Sequence, residues 1–244
     1  MSVQKLYAQH KYIMEIDTLI KEQGVHVEVC TDFEEFRELR RTQSDRPPLG
    51  PAFDAGCSYI EPTNGFWVKG LDSNGQIIHT QAMRLLDLSN SNLTDHLQKH
   101  RLIYQPPNIN QAQAKSFEFL QKSASMTGER VVYHGELWMR PGAKRHSGGS
   151  LVAILTRFML ALAYMQWSPD FIFGFMLPLI ACKGLAAREG YTHVEPGMWK
   201  GVDGANLFEE WMVWIRGEEV DHLMQFPPQN LCNMLQTSSL RQRQ

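Results

Sequence analysis

Hydrophobic residues recur along the chain at two spacings, every second residue or every third and fourth, and these spacings predict short strands and helices. The run VHVEVC, residues 25–30, is rich in β-branched residues and predicts a strand. Phe33, Phe36 and Leu39 follow at helical spacing, and Asp32 or Thr31 is a favourable N-cap for that helix. The regular part of the chain therefore begins with a strand that leads into a helix.

A β-hairpin is predicted where Asn74-Gly75 separates two alternating runs, residues 65–71 and 76–88. Residues 150–166 predict a helix with few polar positions on any face, so this helix is expected to be largely buried. Further strands are predicted at 131–140, 171–176, 191–196 and 207–217, and further helices at 92–102, 111–122 and 178–189. The order of these elements predicts a mixed α/β fold with one sheet covered by helices, and not a doubly wound parallel sheet.

Two segments interrupt the regular pattern. Residues 45–64 are rich in proline, and structured signals resume on both sides without a change in composition, so a long loop within one domain is predicted. Residues 89–129 are predicted as a helical insert after the third strand. We expect an N-terminal helical extension over 1–24, a main domain over 25–217 and a C-terminal extension over 218–244.

The composition excludes two classes of partner. The 244 residues include 24 Lys and Arg against 26 Asp and Glu, so the chain lacks the basic surplus of nucleic-acid-binding proteins. The apolar stretch 151–182 could suggest a membrane hairpin, but Arg157 near the centre of a span would cost about 2.5–3.5 kcal/mol. The mean hydropathy of −0.32 is also that of a soluble protein. We therefore expect no nucleic-acid partner and no membrane span.

Neither a metal site nor a disulfide framework is evident. His96 and His100 have the i, i+4 spacing of a metal pair without a third ligand, so a solvated helix face is the favoured reading. Residues 1–24 lack the apolar core of a signal peptide, which predicts a cytoplasmic location. The cysteines are too far apart for a zinc knuckle or a redox motif and are expected to be reduced: Cys30, Cys57, Cys182 and Cys232.

A candidate phosphate site lies between the strand 131–140 and the helix that follows it. Glycines and a small residue let backbone N–H groups converge on an oxyanion, and the helix N-terminus adds a partial positive charge. Neither a Walker A pattern nor a three-glycine dinucleotide pattern is present, and a strand-to-helix turn without a ligand would look the same. The segment reads Lys144-Arg145-His146-Ser147-Gly148-Gly149-Ser150.

This segment resembles the pyrophosphate loop of the GNAT superfamily of N-acyltransferases, Arg/Gln-x-x-Gly-x-Gly/Ala. Arg145-His-Ser-Gly148-Gly-Ser150 matches it except for serine at the last small position. Residues 184–191 similarly resemble the family's closing Leu-Tyr-x-x-x-Gly-Phe. The resemblance implies a central, mostly antiparallel sheet with helices on both faces. It also implies transfer of an acyl group, with acetyl expected, from an acyl-CoA to a small-molecule or peptide amine.

The same resemblance implies where the donor would bind. The backbone of β-strand residues Trp138, Met139 and Arg140 would pair with the pantetheine arm of acetyl-CoA or another acyl-CoA, where this strand splays from the next. The pyrophosphate would be held by the backbone of the loop and of the first helical residue: Arg145, His146, Ser147, Gly148, Gly149 and Ser150.

His134 and Glu136 are the candidate general bases, because they lie two residues apart on one predicted strand face beside the expected thioester. Glu136 could instead pair with Arg84 or Arg140, and His134 could be a satisfied core or surface residue.

The expected general acid departs from the family pattern. The tyrosine that often protonates the departing thiolate in the family is replaced by Ala186, which leaves Tyr191 as a substitute.

Two other readings remain open. The first is an enzyme similar to the acyl-homoserine-lactone synthases, which use acyl-carrier protein or acyl-CoA, since Phe36-x-x-Leu39-Arg40 and residues 83–87 resemble that family's layout. The second is a non-catalytic CoA-binding module of the same fold. A homodimer is possible on either reading.

Overall fold

The computed structural model describes residues 2–106, 114–119, 128–142 and 150–229. The helices are α1 (Val3–Glu22), α2 (Phe33–Arg41), α3 (Leu93–Lys99), α4 (Arg101–Tyr104), α5 (Ser150–Trp167), α6 (Pro178–Cys182), α7 (Leu185–Glu189) and α8 (Gly217–Leu223). The strands are β1 (His26–Cys30), β2 (Gly65–Leu71), β3 (Ile77–Asp87), β4 (Ala114–Phe119), β5 (Arg130–Met139), β6 (Phe171–Met176), β7 (His193–Glu195), β8 (Gly197–Gly201), β9 (Asn206–Glu209) and β10 (Trp211–Arg216).

Seven strands form the central sheet in the order β1-β2-β3-β5-β6-β10-β7. Only β5 and β6 run parallel, and every other neighbouring pair in this sheet is antiparallel. Strands β4, β8 and β9 form a second sheet. The predicted fold class, a mixed α and β fold around a mostly antiparallel sheet, is confirmed.

The two faces of the central sheet are covered by different elements. Helices α1 and α5 cover one face, called the helical face below, where Ile16, Ile154 and Ile172 belong to one buried cluster. Helix α2 and the second sheet cover the other, called the aromatic face, where Phe36 and Trp199 belong to a second cluster. Helices therefore lie on both faces, and each face has its own apolar core.

The predicted β2–β3 hairpin is confirmed. Gly75 takes a φ of 73°, a conformation that favours glycine, and Asp72 closes the turn by accepting hydrogen bonds from the backbone N–H groups of Asn74 and Gln76.

Four predicted elements differ from the structure. The predicted helix 92–102 is divided at His100 into α3 and α4. Within the predicted helix 111–122, residues 114–119 instead form β4, because pairing with β8 outweighs the weak helical periodicity. The predicted strand 207–217 is two strands, β9 and β10, which join different sheets on either side of Glu210. The predicted helix 178–189 is broken at Gly184, where φ is 71°.

Helix α1, which lies in the predicted N-terminal helical extension, contributes Tyr12, Ile16, Leu19 and Ile20 to the core of the helical face. Among the described residues, no helix combines the length and the apolar character needed to cross a membrane.

Candidate functional site

The parallel strands β5 and β6 separate part of the way along their length. They pair from Val131 and Phe171 to His134 and Gly174, and no further. Beyond that point β5 continues to Met139 and β6 to Met176. The opening leads into a cavity of about 570 Å³ that is lined by both strands and by the segment 45–50.

A β-bulge in β5 lies next to this opening. Gly135 pairs with Ala82 and Trp138 with Thr80, so Glu136 and Leu137 together oppose the single residue Gln81. Glu136 has a φ of 54°, and a bulge of this kind bends and twists a strand.

The bulge changes which face each side chain of β5 reaches. His134 lies on the helical face, where its hydrogen-bond partner Gln81 also meets Thr156 of α5. Glu136 lies on the aromatic face, where it meets Arg40 of α2. The expectation that His134 and Glu136 share one face is therefore wrong, because the extra residue interrupts the alternation.

The carboxylate of Glu136 accepts three hydrogen bonds. The donors are Nε of Arg40 at 2.9 Å, Nη2 of Arg46 at 3.2 Å and the backbone N–H of Gly50 at 2.9 Å. Burial and the neighbouring Arg40 lower the pKa of Arg46 to about 10. Glu136 thus fastens the start of the loop 45–64 to β5.

The alternative arginine partners suggested for Glu136 are wrong. Arg84 donates to the backbone carbonyls of Ala52 and Tyr59, and Arg140 donates to the side chain of Gln76.

Four side chains form a buried chain of hydrogen bonds behind the cavity. Nδ1 of His134 lies 2.5 Å from the hydroxyl of Tyr191, and Nε2 lies 2.8 Å from Oε1 of Gln81. The amide nitrogen of Gln81 lies 2.6 Å from Nε2 of His79. Since Oε1 of Gln81 only accepts, Nε2 of His134 carries the proton, and the hydroxyl of Tyr191 donates to Nδ1.

Burial disfavours the charged forms of both His134 and Tyr191. It lowers the pKa of His134 to about 3 and raises the pKa of Tyr191 well above its ordinary value. At neutral pH the pair is therefore an uncharged imidazole and an uncharged phenol.

Tyr191 lies beside the position where the family's tyrosine was expected. Ala186 is buried in the core, and its carbonyl accepts a hydrogen bond of 3.0 Å from the backbone N–H of Tyr191. The Tyr191 side chain lines the cavity, which its predicted role as a substitute acid requires.

The predicted donor-binding residues fall into two groups. Trp138 and Met139 line the cavity, and Arg140 continues the pairing of β5 with β3 through its backbone bond to Ile78. Residues 145–149 lie outside the described residues, and Ser150 begins α5.

The edge of β5 from Gly135 to Met139 that faces β6 has no partner strand among the described residues. Such an edge offers N–H and C=O groups to an extended, amide-bearing chain. This feature fits the pantetheine arm that the resemblance implies.

Sequence reasoning missed Glu210, which lies between β9 and β10 and lines the same cavity. Its Oε2 accepts a hydrogen bond of 3.1 Å from the indole N–H of Trp199. Burial raises the pKa of Glu210 to about 7, against the effect of that hydrogen bond. The only sequence signal was an acidic pair, Glu209-Glu210, inside the apolar run LFEEWMVW.

No family model and no curated protein matches the chain. Solved structures with a similar fold include an N-acyl amino acid synthase from uncultured soil microbes, with 10% identity, a TM-score of 0.36 and coverage of 90% of this chain and 89% of the other. A spermidine N-acetyltransferase from Vibrio cholerae has 10% identity, a TM-score of 0.43 and coverage of 81% and 96%. An aminoglycoside acetyltransferase in complex with coenzyme A and kanamycin has 11% identity and a TM-score of 0.39, and the match covers 81% of this chain and 98% of the other.

These similarities concern the fold alone. The architecture that the sequence resemblance implied, a mostly antiparallel sheet with helices on both faces, is confirmed by the structure, in which one parallel pair opens into a cavity.

Proposed function

We propose that this chain is an N-acyltransferase that binds an acyl-CoA, with acetyl-CoA the expected donor, and passes the acyl group to an amine. The observation that carries the proposal is the opening of β5 from β6 into a cavity of about 570 Å³. The edge of β5 that has no partner strand within the described ranges borders that opening, and so do buried ionisable side chains. A bound acyl-CoA would supply the activated thioester.

The donor is assigned to the helical face of the sheet. The predicted pyrophosphate segment, residues 145–150, leads into α5, which covers this face. Tyr191 lines the cavity on the same side and keeps its proton at neutral pH, because burial raises its pKa. Its hydroxyl carries one proton, which in this structure is donated to Nδ1 of His134. When the donor is bound, the hydroxyl would turn to donate that proton to the departing sulfur instead and so stabilise the charge that develops there.

The two residues predicted as bases receive other roles in this proposal. His134 accepts the hydrogen bond of Tyr191 and orients the phenol, since an imidazole with a pKa of about 3 is a poor base at neutral pH. Glu136 holds residues 46–50 at the rim of the cavity, because its carboxylate is engaged by two guanidinium groups and one backbone N–H.

The test separates binding from turnover. Acetyl-CoA and longer acyl-CoAs are titrated in a thermal-shift assay, where a ligand of the folded state stabilises it by about 2.7 kcal/mol at a hundredfold excess over Kd. Release of free thiol is then followed with a panel of amines. Binding with amine-dependent thiol release supports the proposal. Binding without release identifies a non-catalytic CoA-binding module, and no thermal shift overturns the proposal.

A matched pair of variants locates the binding site. Leu177 lines the cavity and is 46% exposed, whereas Leu179, two residues further on, is 68% exposed and does not line it. Leu177→Trp should fill the opening and abolish the thermal shift by CoA, and Leu179→Trp should retain it. Equal thermal shifts in both variants would place the donor elsewhere.

A further inference from the structure

We infer that Glu210 receives the acceptor, binding the amine as an ammonium ion and taking one proton from it, and that this amine is borne by an aromatic or apolar carrier. This inference rests on the proposed function and adds the base and the substrate class that the predicted residues do not supply.

The carboxylate of Glu210 has room for a cation. One oxygen is held by the indole N–H of Trp199, and the other receives no hydrogen bond from any residue in the described part of the chain. Within those same residues, no Lys, Arg or His nitrogen lies within 4.0 Å of it. A carboxylate in a mostly buried position without a basic partner favours a ligand that carries the missing positive charge.

The wall beside Glu210 is aromatic. Tyr133 and Phe175 line the same cavity, with their ring centroids 6.0 Å apart, and Phe175 in turn lies 6.5 Å from Trp199. Burial and the charge of Glu210 raise the pKa of Tyr133 well above its ordinary value, so its ring stays neutral. Aromatic faces attract an ammonium group and pack against an apolar carrier.

Glu210 and Tyr191 approach the opening from opposite faces of the sheet. Tyr133 and Phe175, the neighbours of Glu210, pack against the cluster of the aromatic face, whereas Tyr191 belongs to the cluster of the helical face. The acceptor therefore enters from the aromatic face and the donor from the helical face. The two meet where β5 and β6 separate.

The proposed step balances as follows. The ammonium gives one proton to the Glu210 carboxylate, the free amine nitrogen bonds to the thioester carbonyl carbon, and the C–S bond breaks. The second proton lost by that nitrogen goes to the sulfur, which leaves as the CoA thiol. Burial raises the pKa of Glu210 to about 7, which suits a group that takes and releases a proton near neutral pH.

The chain offers a matched control for Glu210. Glu209 is the neighbouring residue, is exposed, and also accepts a hydrogen bond from an indole N–H, that of Trp211 at 2.7 Å. The two carboxylates differ in that only Glu210 lines the cavity.

The test measures kcat/KM against pH with acetyl-CoA and phenethylamine as probes. The wild type should show a rising limb with a midpoint near pH 7. In Glu210→Gln the rising limb should disappear and kcat/KM should fall at least 10²-fold. The thermal shift that CoA produces in this variant should stay unchanged. Glu209→Gln should stay within twofold of the wild type. Phenethylamine should exceed putrescine at least tenfold in kcat/KM.

Trp199→Phe keeps the carboxylate but removes its hydrogen-bond donor. It should move the rising limb to higher pH, because the donor favours the charged carboxylate.

The outcomes separate the two proposals. If the wild type releases thiol and Glu210→Gln does so at the same rate and with the same pH dependence, the role of Glu210 is overturned. The proposed acyltransferase function is then retained. A preference for putrescine overturns the substrate class. A wild type that neither binds CoA nor releases thiol overturns the proposed function, and this inference falls with it.

Discussion

The hydroxyl of Tyr191 donates a hydrogen bond of 2.5 Å to Nδ1 of His134, at the point where β5 parts from β6. Gln81 fixes this direction of donation, because its carbonyl oxygen takes the proton on Nε2 of the same ring. A buried polar chain that starts on β3 thus determines how the phenol at the cavity wall is oriented.

Tyr191→Phe should lower kcat by about 10²-fold, because it removes one hydrogen-bond donor to the developing thiolate and keeps the ring. CoA binding in the thermal-shift assay should stay at the wild-type level. Tyr7→Phe, at a tyrosine that is 72% exposed on α1, serves as the control. A wild-type kcat in Tyr191→Phe would exclude the phenol from the reaction.

Acid should destabilise the fold from about pH 6.5 downward. Burial lowers the folded-state pKa of both His134 and His79 to about 3, so between pH 6.5 and 3 the unfolded chain binds protons that the folded chain does not. Each histidine then costs the folded state up to about 1.4 kcal/mol per pH unit. Urea unfolding at pH 7.5, 6 and 5 measures the slope, which His79→Gln should reduce. An unchanged slope would contradict the neutral, buried assignment.

Glu210→Gln should stabilise the protein above neutral pH even as it removes activity. The folded-state pKa is raised from 4.5 to about 7, so stability contributed by the protonated group is lost as pH rises through that interval. The free energy of unfolding of Glu210→Gln should exceed that of the wild type by about 3 kcal/mol at pH 8, and this difference should vanish below about pH 4.5. Thermal melts of both proteins across this range provide the measurement, and equal Tm values at pH 8 would count against a buried carboxylate.

Glu136→Gln should loosen the loop 45–64 and leave the pH dependence of the reaction in place. The change breaks the buried ion pairs with Arg40 and Arg46, at a cost of about 3 kcal/mol in unfolding free energy. The expected kinetic effect is a higher KM for the acceptor with the rising limb retained. Loss of that limb would instead identify Glu136 as the base, as predicted from the sequence.

Local patterns in the sequence predicted the elements whose pairing is local or whose apolar run is continuous. The hairpin at Asn74-Gly75, the buried helix α5 and the strands β5 and β6 all follow from turn chemistry and periodicity. Residues 114–119 form a strand and not the predicted helix, because the strand partner that stabilises them, β8, is about eighty residues away in sequence.

The candidate site was only partly accessible to sequence reasoning. The strand that carries His134 and Glu136 was identified, but alternation alone cannot reveal an inserted residue, so the two were assigned to one face. Glu210 carried no pattern of its own, since its properties come from burial among residues of other strands. The sequence indicates Tyr191 only as a substitute for the tyrosine that Ala186 replaces.

The bulge at Glu136 and Leu137 also determines which residues of β5 face the helical side of the sheet. Upstream of it the even-numbered residue His134 faces α5, and downstream the odd-numbered residue Met139 does so. Side chains of equal sequence parity therefore reach the helical face on one side of the bulge and the aromatic face on the other. Removing Leu137 would restore regular alternation of side chains along β5. The carboxylate of Glu136 would then face Gln81 and not Arg40. The anchoring of the loop 45–64 by Glu136 thus depends on one extra residue in β5.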